Sequence, residues 1–395
     1  MTSPERTRTQ PERWVQAPAD AAFSIWDGWL DYASSALAHS RLTAVEFTED
    51  LLHWWETVAD RTQPSWSTRH RTVRSWPQAA LLDFSISEHG TPTVILPPQA
   101  GHASTIVDYS AQQSQVRTAR DAGLERVYVL SWNPATELTA SSSIEDFIAI
   151  LDDTVDQLGG RINLVGDCQG GWLAAIYAAL RPDSIESLAV AGAPIDFHAG
   201  HSAIQEWVRN LSARGEMRFY QKLVDLGQGN HLGENQILGF KMLEPPEEIS
   251  RLASLWGHIH DDAYVQRYTD FENWFAWGQD VPGAFYLWIV EHLFIRNELI
   301  ERKLRVGGQI VDLGNIRCPL FMLAGTTDHI TPPEQMFALA DHAGTPKHQQ
   351  HQELVTAGHL GLFMGHAALE GAWTDVFGAM AALNNTRTRE LARKT

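Results

Sequence analysis

The chain is short of cysteine, short of basic residues, and without a long apolar run. Its 395 residues include two cysteines, Cys168 and Cys318, too few for a disulfide framework. Both read as free thiols of a reducing compartment. Lysine and arginine number 30 against 48 aspartate and glutamate, a net charge of −18. That balance excludes nucleic acid as a main partner, because binding phosphates needs a basic footprint. No apolar run approaches the ~20 residues of a membrane span, so no transmembrane segment is expected. The opening MTSPERTRTQPER is polar where a signal peptide would be apolar, and a cytoplasmic location is expected. No internal repeat is present. What the chain does have is the composition of a globular protein, 44% hydrophobic and 20% charged, and 15 tryptophans for a core, a channel or an interface.

Residues 1–20 are polar and expected to be disordered. A helical extension is expected over 21–80. Ile25, Trp26, Trp29, Ala33 and Leu37 share one face of its first helix, and Val45, Leu52, Trp55 and Val58 mark the second. The basic stretch from Arg61 to Arg74 reads as a solvated linker or as a site for an anionic ligand. Alternation then begins: Pro92–Leu96 as a strand, Asp108–Ala122 as a helix, and Arg126–Trp132 as a strand. A helix over Ser143–Leu158 follows, started by Ser142 and Glu145, and then the strand Arg161–Gly166. This βαβ rhythm predicts an α/β protein with a mostly parallel sheet. It covers 81–196 and 306–384, interrupted at 197–305 by a helical, aromatic insertion that reads as a cap over the carboxyl edge of the sheet. A polar, flexible tail is expected over 385–395.

Within Arg161–Leu180, the run Ile162–Val165 ends in Gly166-Asp167-Cys168-Gln169-Gly170-Gly171, and an alanine-rich helix follows. Strand, glycine-flanked turn and helix are the context of a nucleophile elbow, here with Cys168 in place of serine, which predicts an α/β-hydrolase fold. A buried cysteine in a glycine-rich turn is the plainer alternative. A dinucleotide loop has different glycine spacing. A thiol nucleophile needs a base and an orienting acid, in the chain order Asp then His. Asp328 follows the strand PLFMLAG, and His359 follows the last strand in TAGHLGLFMG. The alternatives are a turn aspartate and a structural histidine, one of 17. Oxyanion donors are expected from the backbone N–H of Gln169 and, because Pro97 and Pro98 have none, from Gln99. His102 reads as an exposed loop residue and Cys318 as core. His258-Ile-His260-Asp261-Asp262 has the residue types of a metal site without a supporting framework, and no metal is expected.

These motifs resemble the polyhydroxyalkanoate (PHA) synthase family, particularly the short catalytic subunit of its two-subunit type and related synthase-like α/β-hydrolases. The carriers are Gly166–Gly171, LSWNP at Leu130–Pro134, NELIERKLRVGGQIVDLGNI at Asn297–Ile316, DHITPP from Asp328 and GHLGLFMG from Gly358. The resemblance implies an acyltransferase that polymerises 3-hydroxyacyl-CoA, with Cys168 carrying the chain as a thioester. His359 would be its base, and Asp328 would orient His359 or help activate the 3-hydroxyl. It implies no cofactor beyond the CoA thioester substrate. As partners it implies a polyester chain or granule, and a homodimer or a helical partner subunit. A Cys-dependent hydrolase (an intracellular PHA depolymerase or acyl thioesterase) and a non-catalytic granule-binding protein share the fold. Asp167 is a departure, since a carboxylate beside the thiol disfavours the thiolate, though strand alternation points it to the opposite face.

Overall fold

The contacts of the chain divide it into two bodies, Met1–Pro64 with Glu234–Gly278, and Ser65–Gly233 with Gln279–Thr395. The computed structural model describes residues 10–212, 216–243 and 245–392. The division differs from the boundaries read from sequence. Of the expected cap, residues 234–278 join the N-terminal helices, whereas 197–233 and 279–305 belong with the sheet.

In the first body, α1 (Gln10–Ala38) packs along the inserted helix Pro245–Gly257. Residues 10–20, expected to lack structure, form its first turns; residues 1–9 lie outside the described residues. Small residues let the two backbones meet. A Cβ on Gly28 would lie 2.4 Å from the Ala253 carbonyl oxygen, and one on Gly257 would lie 2.8 Å from Asp31 Cβ. Ala21, Tyr32 and Ala36 share the buried face, and Tyr32 stacks on Trp256 with 4.1 Å between ring centroids. The bulky face named from sequence is the outer one: Trp26 is 64% exposed, with Ile25, Trp29 and Leu37 also open. In α2 (Ala44–Ala59), started by a Thr43–Glu46 capping box, Val45, Leu52 and Trp55 are likewise exposed. Periodicity grouped these side chains on one face and suggested that it packs on its own domain, but the close helix crossing buries the small side chains and leaves the bulky ones largely open. At the centre, the buried Asp50 carboxylate accepts from Tyr32 Oη (3.0 Å) and Arg41 Nε (2.8 Å) and pairs with His260 Nε2 (2.9 Å).

The second body is built on eight strands: β1 (Arg71–Ser75), β2 (Ala79–Asp83), β3 (Thr93–Leu96), β4 (Val127–Trp132), β5 (Ile162–Asp167), β6 (Ile185–Ala191), β7 (Leu320–Gly325) and β8 (Gln350–Val355). Their order is β1-β2-β4-β3-β5-β6-β7-β8. Pairing is antiparallel at β1–β2 and β2–β4 and parallel elsewhere. Strands β3, β5, β6 and β7 are buried along nearly their whole length, which is why their sequences are mostly apolar instead of alternating. The fold is therefore the expected mostly parallel α/β-hydrolase sheet.

Three local readings change. The end of the basic stretch is edge strand β1, with Arg71 paired to Asp83 and Arg74 to Asp153, so these cations are used within the body. The helix expected from Asp108 starts only at α3 (Gln115–Asp121), because Asp108 is buried as the acceptor for Thr68 N–H and for the Ser67, Thr68 and Ser114 hydroxyls. Helix α4 (Ile144–Gln157) begins one residue later than read, Ser143 N–H donating to Asp146 at 2.7 Å. Helix α5 (Gln169–Leu180) leaves the end of β5, and Phe285 of the insertion packs on Phe147 and Trp172 beside it. Helices α6 (Pro333–His342) and α7 (Thr374–Ala392) complete the body, α7 running on through residues expected to form the flexible tail; residues 393–395 lie outside the described residues.

Candidate active site

Cys168 sits between β5 and α5 with φ 50° and ψ −115°, a conformation that a non-glycine residue holds only when its surroundings enforce it. The flanking glycines explain the enforcement. A Cβ on Gly170 would lie 2.0 Å from the Leu96 carbonyl oxygen at the end of β3, and one on Gly166 would lie 2.4 Å from the Gly170 oxygen. A Cβ on Gly171 would lie 2.5 Å from Ala193 Cβ. Cys168 N–H donates to Ala191 O at 2.8 Å, continuing the β5–β6 ladder to the turn itself.

The loops after β7 and β8 bring the other two residues to this thiol. His359 Nε2 lies 3.2 Å from Cys168 Sγ, and His359 Nδ1 lies 2.7 Å from Asp328 Oδ2. Asp328 is both a turn aspartate and a histidine partner. Its Oδ1 accepts from the N–H groups of Ile330 (2.9 Å) and Thr331 (2.8 Å), which fixes the carboxylate so that Oδ2 faces the imidazole. The ring of His359 stands edge-on to Phe363. Burial by itself would lower the basicity of His359. The Asp328 carboxylate and Cys168, through charge and hydrogen bonds, outweigh it and hold the imidazole well above its ordinary value. When His359 is protonated, its Nε2–H faces the Cys168 sulfur 3.2 Å away.

Gln169 is the first residue of α5 and follows Cys168 directly, so its backbone N–H has no partner within the helix. Gln99 follows β3, where Leu96 is in register with Gly166. Its side chain is buried, and neither amide atom has a hydrogen-bond partner among the described residues. His102, expected to be exposed, is buried in the same loop because that loop tucks under residue 279, whose N–H donates to Gly101 O. Burial pushes the Cys318 thiol up to about 12. The histidine-rich stretch of the insertion is used locally: His258 bonds Ser254 O, His260 meets Ser35 and Asp50, and Asp261 caps the helix Asp262–Phe275. Among the described residues no cluster of three metal-ligating side chains occurs.

The partner of Asp167 was not legible in the sequence. Asp167 is fully buried, and its Oδ1 accepts from Gln115 Nε2 at 3.3 Å. Burial raises its carboxyl to about 8, with the Gln115 hydrogen bond and the charge of His359 pulling the other way. Gln115 opens α3, 52 residues earlier, and no local pattern marks it.

A mostly parallel sheet with a strained elbow at Cys168, and the Cys168, His359 and Asp328 side chains within hydrogen-bond distance at its carboxyl edge, define an α/β-hydrolase fold. The chain belongs to the family described as "Protein of unknown function (DUF3141)", whose model matches residues 60–384. It is similar to the poly(3-hydroxyalkanoate) polymerase subunit PhaC of Haloferax mediterranei, 27% identical over 293 residues, which cover 72% of this chain and 58% of that protein. The subunit of the same name from Allochromatium vinosum is 25% identical over 67% of this chain and 73% of its own length. The chain thus spans little more than half of the first of these relatives. Among solved structures it is similar to an epoxide hydrolase from Bacillus megaterium, with 15% identity, a TM-score of 0.48, and 80% of this chain and 100% of that one covered.

Proposed function

We propose that the protein is an acyltransferase that polymerises 3-hydroxyacyl-CoA into a polyester through a thioester on Cys168. The observation that carries this reading is the sulfur 3.2 Å from His359 Nε2, with Asp328 fixing the other ring nitrogen. Its companions are the relatives named as polymerase subunits. The thiolate attacks the thioester carbonyl, and the negative oxygen that forms is met by backbone N–H groups at Gln169 and Gln99. The carbon–sulfur bond to CoA breaks, and the departing thiolate takes the proton from His359. The acyl group is now on Cys168. His359 next accepts the proton of a 3-hydroxyl from another acyl unit, whose oxygen attacks the carbonyl. An ester forms, and the Cys168 thiolate is released. Loading exchanges one thioester for another at nearly equal energy, and the ester-forming step is downhill, so the sequence runs toward polymer if water is kept out. No group beyond the CoA thioester is needed. The reading places the protein in the cytoplasm at the surface of polyester granules.

The test is intact-mass measurement after mixing with 3-hydroxybutyryl-CoA, with analysis of released products. The expected result is an acyl adduct that is absent in Cys168→Ala, together with chain growth. An adduct followed only by free 3-hydroxy acid would make the protein a thiol hydrolase. No adduct at all would remove both readings and leave a granule-binding role.

A further inference from the structure

The pair formed by Asp167 and Gln115 has one more acceptor on each side than the described residues satisfy. Both side chains are fully buried, and Gln115 Nε2 donates to Asp167 Oδ1. That leaves Asp167 Oδ2 and Gln115 Oε1 with no hydrogen-bond partner among the described residues. Two bare acceptors on two groups already joined by a hydrogen bond are costly in a dry site. An ionised carboxylate cannot relieve either, since it only accepts. One proton relieves both. On Asp167 Oδ2 it donates to Gln115 Oε1, while the existing bond runs from Gln115 Nε2 to Oδ1.

We propose that Asp167 is held as a neutral acid in a two-point pair with Gln115, and that this pair permits a negatively charged sulfur on the adjacent residue. The choice of glutamine follows, because an amide offers one donor and one acceptor, the complement of a protonated carboxyl. The charged group whose field reaches Asp167 is His359. It favours ionisation, and burial outweighs it, keeping the proton on up to about pH 8. Asp167 is therefore a positioning residue that acts through Cys168. When it ionises, a second negative charge arises on the residue next to Cys168 and opposes the thiolate, an effect on the order of tenfold for charges ~8 Å apart at an effective dielectric constant of ~20–30.

The inference rests on Cys168 being the reactive thiol, so two readouts separate its failure from the failure of that reading. The first is the infrared carbonyl band of a protonated carboxyl. It should persist above pH 6, fade near pH 8 and be missing in Asp167→Asn, whatever Cys168 does. The second is the pH profile of Cys168 alkylation by iodoacetamide. The wild-type profile should bend downward near pH 8, falling about tenfold below that of Asp167→Asn, which keeps a two-point amide pair and should lose the bend. If Asp167→Asn does not fold, Gln115→Leu serves instead and should shift both the band and the bend. A wild-type protein without the band at pH 6.5 would have an ionised Asp167, and the proposal would be wrong. Superimposable alkylation profiles would overturn the link to sulfur.

Discussion

Replacing Gly170 with alanine tests whether the elbow is held by backbone contact. The new Cβ would lie 2.0 Å from Leu96 O, where ordinary contact begins at 3.4 Å, so α5 or the end of β3 must give by about 1.4 Å. Leu96 C and Pro97 O, at 2.8 and 2.9 Å, close the other directions of escape. Overpacking of this kind costs about 1–3 kcal/mol, and alanine in place of glycine in a helix returns at most about 1 kcal/mol. With the full return subtracted the net loss is about 0–2 kcal/mol, or up to roughly 8 °C in the melting of the sheet body. Reactivity should suffer more than stability. A shift above 1 Å between a nucleophile and its base costs on the order of a hundredfold. The assay is the rate of Cys168 alkylation followed by intact mass, with a thermal melt of the same sample. A Gly170→Ala protein that melts at the wild-type temperature and alkylates within about twofold of the wild-type rate would show that the glycine is not what sets the elbow.

Asp328→Asn should slow alkylation at pH 7 by about a hundredfold or more, because the imidazole loses the partner that keeps it charged and oriented. The sign for stability follows from a raised His359: its contribution is complete below about pH 6.5 and is lost as pH rises through the raised value. The stability gap between wild type and variant, measured by urea unfolding across pH, should therefore be widest near pH 6 and narrow toward alkaline pH. In the first body, Asp50→Ala removes the shared acceptor of Tyr32, Arg41 and His260. It should cost about 3 kcal/mol, read as an earlier transition in tryptophan fluorescence. An unchanged transition would mean that the cluster does not hold α1 and α2 to the inserted helices.

The elbow was legible because it is local. Glycines at 166, 170 and 171 are a steric requirement written within six residues, and uninterrupted apolar runs such as LFMLAG mark strands covered on both faces. Asp328 and His359 were legible by position, each just past a strand end. Other features depend on partners distant in sequence. Periodicity placed Trp26 and Leu37 of α1 on one face, but only the helix Pro245–Gly257 decides that Gly28, Tyr32 and Ala36 are the buried ones. Strand β1 reads as a charged linker because it is an edge strand whose arginines find Asp83 and Asp153 elsewhere. Asp167 read as a liability beside the thiol until Gln115 was brought against it.

The discontinuity of the first body has a consequence during synthesis. Ser35 and His260, which meet in it, are separated by 225 residues. At the ribosome's pace of about 5–20 residues per second, α1 and α2 wait on the order of 10–45 s for the helices that complete their fold. For that interval Tyr32, Phe47 and the outer tryptophans are uncovered together. The nascent chain therefore carries this aromatic surface uncovered until the inserted helices emerge. A chaperone that binds amphipathic helices would find its substrate there, before the sheet body has been made.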